Sequence, residues 1–452
     1  MIRRFLKGRA ARKLRRNKLA IASMAVISVY VFVALLGFVG VISQASTQER
    51  VLPDKTPGWL ESKPVDDRAA DAIWLADRIG ARVERAREET DPEAVRRLLD
   101  EVSMAERSII DAPFEEIEAL YATVQAELDE MYEVFDEKDL AVDDIISSQL
   151  RIQRYRERDA ERFADRIAEA EQTIAEAQAR VPDLSVAAES ELDDVEAALE
   201  SLMPTPDGLR GAVYTLRTCL GSDNQGRSIM MKALFSVRIA FQIGFVVAIA
   251  CVILGTALGA AGAFFAGWVD YGVMYLVSVL SSVPSLVLLA VIVYIFFGSP
   301  IFDNPAERPG LALVPVYAAM GLTFWVGTCR VIRGEVMKIK GLEYVQAATS
   351  IGFGRVYTLV KHVVPNTAHL MFINFALLFI GAIKSEVILS FLGLGVKGQP
   401  SWGRMISQGK DDVIIGFFWE VGAASVFMFG LVLAFNILTD ALQDAFDPRH
   451  VD

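Results

Sequence analysis

Three observations predict an all-α polytopic membrane protein. The 452 residues are 53% hydrophobic with a mean hydropathy of +0.35, more apolar than soluble chains of this length usually are. Six apolar runs, at about 19–42, 234–265, 269–298, 311–332, 367–392 and 413–439, stand out along the chain. Roughly 20 residues of helix, at about 1.5 Å of rise each, suffice to cross the hydrocarbon core. Charge is also segregated. Residues 47–210 carry 43 acidic and 20 basic residues, and the rest of the chain carries 14 and 25. A basic membrane protein is therefore interrupted by an acidic insert, giving three parts: 1–46, 47–210 and 211–452.

The first run follows a basic flank of Arg3, Arg4, Lys7, Arg9, Arg12, Lys13, Arg15, Arg16 and Lys18. It exceeds the apolar core of a signal peptide, about 7–15 residues, so an uncleaved helix is expected. The flank sets the N-terminus in the cytoplasm by the positive-inside rule. Six crossings return the C-terminus to the same side and leave 47–210 outside. Arg330, Arg333, Lys338, Lys340, Arg355 and Lys361 after the fourth run agree, with Arg330 and Arg333 most simply positive-inside anchors.

The insert reads as helical, with breaks at Asp91-Pro92, Ala112-Pro113, Val181-Pro182-Asp183 and Pro204 to Gly208. Apolar residues recur at spacings of three and four in Phe114, Ile117, Tyr121, Val124, Leu128, Met131 and Phe135. The same spacing runs through Ala160, Phe163, Ile167, Ala170, Ile174, Ala177 and Val181. Both sets fit a coiled-coil seam. The acidic stretch Asp136–Asp144 between them is the expected tip of an antiparallel hairpin.

Chemistry-bearing clusters are sparse. The cysteines are Cys219, Cys251 and Cys329, with no Cys-x-x-Cys pair, so neither a metal site nor a disulfide framework is read. No Gly-x-x-x-x-Gly-Lys-Ser/Thr occurs, so a nucleotide would have to be bound by another polypeptide. A nucleophile–base pair for hydrolysis and an inverted repeat typical of secondary transporters are not recognisable either. No cofactor and no nucleic-acid partner are expected.

Within the membrane part, Lys384 and Glu386 fall inside the fifth run. An ionisable group at that depth costs roughly 2.5–3.5 kcal/mol on insertion scales and faces a cavity or a partner. Two residues apart, they do not share a helix face. Lys384 either lines a path or snorkels to the interface. Pro284 should kink the third run, which suits a gating helix and is also common without gating. Residues 343–366 form a polar loop between the fourth and fifth runs. Tyr344, Val345, Ala347 and Ala348 suggest a short helix, Gly352 its end, and Pro365 the start of the next.

This loop resembles the EAA loop of ABC importer permeases. Gln346-Ala347-Ala348 precedes Gly352 by the family's spacing, and nine residues lead to His362-Val363-Val364-Pro365. Gln346 stands where that motif has Glu; Glu343, one turn earlier, offers a charge instead. Three further stretches resemble the dipeptide, oligopeptide and nickel branch, its "C"-type permeases. They are Gly221-Ser222-Asp223-Asn224-Gln225-Gly226-Arg227-Ser228, Glu386 to Gly395 followed by Pro400-Ser401-Trp402-Gly403, and Asp440 to Arg449. The first is also explained as cap and turn residues, with Asp223 and Arg227 free to pair.

The resemblance covers a little over half of the chain and leaves the insert unexplained. It implies the six-helix fold of type I importer permeases in a bacterial inner membrane, importing peptides or similar small solutes. It also implies a second permease, two ATPase subunits and an extracytoplasmic binding protein as partners, with lipid around them. ATPase docking falls to Glu343, Tyr344, Gln346, Ala347, Ala348, Gly352 and Pro365, and the translocation path to Lys384, Glu386 and Pro284. A membrane-anchored coiled-coil tether or sensor of the cell envelope is the alternative.

Overall fold

The computed structural model describes residues 17–48, 65–89, 91–100, 107–159, 162–223, 225–297, 312–414 and 416–446. Arg3 to Arg16, Ala160, Asn224 and Asp447-Pro448-Arg449 lie outside the described residues. The regular secondary structure of the described residues is helical, with an isolated bridge between Ser222 and Ser228. Two compact units form: 1–48 with 229–452, and 49–228.

In the membrane unit, α1 (Lys18–Val39) starts where Asn17 Oδ1 accepts from the amides of Leu19 and Ala20 at 3.0 and 3.3 Å, an N-cap of the expected chemistry. It ends at Gly40, whose φ of +91° reverses the chain. A short α2 (Gln44–Gln48) follows. The long helix α8 (Ile229–Phe265) is the centre of the unit, and α9 (Gly267–Ser281), α10 (Ser285–Phe297), α11 (Val314–Thr323) and α12 (Trp325–Lys340) come next. Helices α13 to α17 complete it: Glu343–Ser350, Arg355–Thr358, Ala368–Phe391, Trp402–Ile414 and Trp419–Phe446.

Among the described residues, four helical stretches are long and apolar enough to cross a membrane, Lys18–Val39, Ile229–Phe265, Arg355–Phe391 and Trp419–Ala445. Helices α9 and α10 make a fifth if taken as one span bent by 89°. The run expected at 311–332 is instead two pieces, α11 and α12, interrupted at Phe324. Amphipathic α16 (Trp402–Ile414) precedes the last span, which starts at Trp419 and not at 413.

Small residues let α8 and α12 approach closely. A Cβ on Gly255 would lie 2.7 Å from Thr328 Cβ, and one on Gly259 2.4 Å from the Cys329 carbonyl oxygen. This is the close-packed geometry on which membrane helices rely, since lipid supplies no hydrophobic drive between them. Phe241, Phe379 and Phe435 join α8, α15 and α17, with the Phe379 and Phe435 rings stacked at 4.2 Å. The Tyr30 hydroxyl donates to the Phe427 carbonyl at 2.7 Å and fixes α1 to α17. Lys232 and Glu420 form a buried ion pair between α8 and α17, and Lys232 also donates to Gln408 Oε1 of α16 at 3.3 Å.

The acidic unit packs α3 (Val65–Arg87) and α4 (Pro92–Asp100) with the paired helices α5 (Phe114–Asp159) and α6 (Ala164–Leu202), then α7 (Gly208–Thr218). Its core includes Ala76, Ile79 and Val83 of α3, Ile117, Val124 and Met131 of α5, and Leu192, Val195 and Leu199 of α6. Pairing of α5 with α6 is antiparallel, as the Arg156–Glu171 and Arg180–Glu137 ion pairs require. Two expectations are corrected. The chain does not turn at Asp136–Asp144: helix α5 runs straight through that stretch to Asp159, with its acids solvated on the outer faces. Pro182 does not break α6; flanking Ala177 and Ala188 are buried, and packing on both sides outweighs one lost backbone bond. The first seam therefore meets the C-terminal half of α6 and not the 163–181 set.

Candidate functional site

Of the residues expected to dock an ATPase, Glu343, Tyr344, Gln346, Ala347 and Ala348 lie on α13, a two-turn helix that follows α12. Its Val345 and Ala348 turn inward, 2% and 6% exposed. Val345 joins Ala260, Phe264, Ile332, Val336 and Leu359 in one apolar cluster. Lys340 at the close of α12 donates to the Phe264 carbonyl at 2.7 Å. The loop is thereby seated on the ends of α8 and α12.

The helix stops in a Schellman arrangement. The Phe353 amide donates to Ala348 O at 3.2 Å and the Gly352 amide to Thr349 O at 3.1 Å. Gly352 adopts φ +94° with open space around its Cα, a conformation that other L residues rarely adopt. Glu343, Tyr344, Gln346 and Ala347 are left exposed, beside Ile351 and Phe353. Gln346 Nε2 donates to the Gly341 carbonyl at 3.2 Å, so it steadies the entry to α13. Ala348, expected on the docking face, packs inward.

After Gly354 the chain is helical again from Arg355 to Phe391. The helix start expected at Pro365 is corrected to Arg355. A π turn at Leu359–Val363 and a 3-10 turn at Val364–Thr367 carry the helix past Pro365, which has no amide to give. Asn366 Nδ2 supplies part of the missing bonding, donating to His362 O at 2.9 Å and to the Tyr344 hydroxyl at 2.5 Å. Pro365 is exposed and lines, with Ile249, Ile253, Met371 and Phe375, an apolar groove of about 540 Å³.

The solute-path candidates separate. Lys384 is exposed on α15, with no carboxylate partner among the described residues. Glu386 is 3% exposed and accepts from the Ser390 hydroxyl at 2.6 Å. Ser401 Oγ lies 3.4 Å from Ser390 Oγ, and the Val396 amide donates to that oxygen at 3.3 Å. A Cβ on Gly395 would fall 1.8 Å from Ser390 Oγ. Glu386 is thus enclosed in the turn that follows α15, where it orders the chain leading to α16. Pro284 sits in the break between α9 and α10, and Ser281 to Val287 are all exposed.

Asp223 closes its own loop. Its Oδ1 accepts from the Gln225 and Arg227 amides at 2.9 Å each, and Oδ2 from the Arg227 guanidinium at 2.6 and 2.8 Å. Two residues stood out less in the sequence than they do in space. Arg333 of α12 pairs with Asp270 of α9 at 2.7 Å through both carboxylate oxygens, and Arg330 donates to the Ser281 hydroxyl at 2.6 Å. The signal available was their spacing of three, one turn of α12.

The family described as the binding-protein-dependent transport system inner membrane component matches residues 251–451, and the N-terminal membrane domain of oligopeptide transport permease C matches 6–52. The dipeptide transport system permease protein of Bacillus subtilis is 32% identical over 230 residues, 51% of this chain and 68% of that protein. The chain belongs to this permease family. An oligopeptide transport permease of Haemophilus influenzae is 29% identical over 258 residues, 57% of this chain and 76% of its own length. A glutathione transport permease of Pectobacterium atrosepticum is 31% identical over 231 residues, 51% and 72% respectively.

As a permease of this family the chain is the non-catalytic membrane subunit of an ABC importer, a multi-pass protein of the inner membrane whose ATPase is a separate polypeptide. The 343–366 loop, the bent pair and the turn around Glu386 all lie within the matched 251–451. Residues 53–250, which include nearly all of the acidic unit, lie outside both family matches.

Proposed function

We propose that this permease imports peptides or similar small solutes and is driven through α13. The observation that carries the reading is the seating of α13: its apolar side is fixed to α8 and α12, while Glu343, Tyr344, Gln346, Ala347 and Ile351 stay exposed. A short helix with one face anchored and the other open suits insertion into a groove on an ATPase. Closure of the ATPase pair then moves α8 and α12 as a rigid lever between two states. The charge contact comes from Glu343, since Gln346 is neutral.

The working complex contains a second permease, two ATPase subunits and an extracytoplasmic binding protein. Both termini are cytoplasmic, supported by the basic flank Arg3–Lys18. The acidic insert then projects outside. Its excess of 43 acidic over 20 basic residues favours a basic face on the binding protein. Lys384, exposed at span depth, lines the solute path. Peptides as cargo are supported by the dipeptide, oligopeptide and glutathione permeases to which the chain is similar.

A photo-crosslinking residue at Ala347 tests the docking. Capture of a Walker-motif ATPase from Ala347, and not from buried Ala348, is expected. Capture of only envelope proteins, or of nothing with the complex intact, refutes it.

A further inference from the structure

The ionisable side chains of the membrane unit sort by how their charge is met. Lys232 is paired with Glu420, Arg333 with Asp270, and Arg238 rests on Phe38 and Phe235 while donating to the Gly37 carbonyl at 3.0 Å. Arg330, one turn from Arg333 on the same helix, is different. It is exposed, and its hydrogen-bond partner is the neutral Ser281 hydroxyl, with no carboxylate beside it among the described residues.

Ser281 lies about midway along the bent pair α9–α10, at the 89° break. The Ser281 hydroxyl accepts from Arg330 and donates to the Val277 carbonyl at 2.7 Å, while Ser282 Oγ donates to the Val279 carbonyl at 2.7 Å. Hydroxyls that bond back to the preceding turn bend helices. A broken backbone at membrane depth is tolerated only where protein covers it or water fills a cavity against it. Ser281 to Val287 are uncovered in this subunit. An unneutralised guanidinium at the same place carries the same requirement.

We infer that Arg330, positioned by Ser281, binds the carboxylate of the transported solute at the break between α9 and α10. This rests on the reading of the chain as an importer of peptides. A guanidinium with one N–H held by a hydroxyl still offers a fork of donors, which matches a carboxylate better than an ammonium does. The site makes the C-terminal carboxylate of a peptide the recognised group.

The test uses the complete complex in proteoliposomes, with one tripeptide as its free acid and as its C-terminal amide. Arg330→Gln should lower uptake of the acid by about tenfold, the worth of a charge-assisted hydrogen bond, and so lower the acid-to-amide ratio. Arg330→Lys should restore part of that ratio, and Ser281→Ala should lower it by about threefold. Comparing the ratio within each variant removes differences in folding and in the amount of complex. Equal losses for acid and amide, or an unchanged ratio, overturn the inference and leave the importer reading standing. An unchanged ratio with a new dependence on anionic lipid overturns it in favour of a headgroup anchor. If the unsubstituted complex moves neither peptide, the peptide reading fails first and this inference with it.

Discussion

Arg333 forks onto both carboxylate oxygens of Asp270, 2.7 Å to each. The pair joins the first turn of α9 to the middle of α12, the helix that leads into the 343–366 loop. Both side chains are only about a quarter exposed, 27% and 23%, so removing either leaves an unpaired charge in a poorly solvated place. Asp270→Asn should cost about 2 kcal/mol, seen as a lower unfolding temperature of the detergent-purified subunit. Arg333→Gln added to it should cost little more, because the two act as a unit. Additive losses would show that each residue has an independent role.

The contact of α8 with α12 is limited by backbone. Gly259→Ala places a methyl 2.4 Å from the Cys329 carbonyl oxygen, and a backbone oxygen cannot swing aside as a side chain can. The helices must part, at about 1–3 kcal/mol. Gly272→Ala, with nothing within 4 Å of the new methyl, is the control and should change the melting temperature little. Equal behaviour of the two variants would refute close packing at Gly259.

At Gly352 the restriction is conformational. There is room for a side chain, but φ is +94°, and a Cβ in the left-handed region costs about 1–2 kcal/mol. Gly352→Asp should insert into the membrane at normal levels, since the site is outside the spans, yet lose uptake and solute-stimulated ATP hydrolysis. Gly354→Ala, at φ −58°, should retain both. Normal uptake in Gly352→Asp would rule out a lever that depends on the shape of this turn.

Much of this was legible because it is encoded locally. Apolar length marks most of the spans, and Gly352 marks a helix end through its freedom of φ. What the sequence hid depends on residues far apart. Pro182 reads as a break until Ala177 and Ala188 are seen buried in the helical bundle. Asp136–Asp144 reads as a loop because it is acidic, although acids are at ease on the outside of a helix. Lys384 and Glu386 look alike as charges in an apolar run; only Ser390, Ser401 and Gly395, brought together by the turn after α15, enclose one and leave the other open. Arg330 and Arg333 look alike too, until Asp270 and Ser281 arrive from another helix.

The acidic unit should loosen in acid at one defined place. Although partial burial works against its charge, Glu200 is held below the usual carboxylate value of 4.5 by the Thr205 amide and hydroxyl and by the Arg107 guanidinium. A carboxyl with a lowered folded-state value contributes stability that is complete above its unfolded value and is lost as pH falls through the folded one. Exchange of the Thr205 amide, which donates to Glu200 at 2.7 Å, should therefore accelerate, relative to free peptide, as the pH falls below about 4. Glu200→Gln should weaken protection at neutral pH and flatten the acid dependence. An unchanged profile in that variant would assign the acid response to other carboxylates.

Pro182 offers the opposite case, a residue the fold tolerates at a cost. It lies inside the unbroken helix Ala164–Leu202, where it cannot donate to the Gln178 carbonyl four residues back and its ring crowds that turn. Pro182→Ala restores the amide and a good helix former, and should stabilise the acidic unit by about 1–3 kcal/mol. The gain would appear as a higher midpoint in the loss of helical circular dichroism, with protection of the 178–186 amides rising most. Should the variant melt lower, the proline-imposed bend would itself be required to bring Ala177 and Ala188 into the buried face together, and the helix would be shaped by Pro182 instead of surviving it.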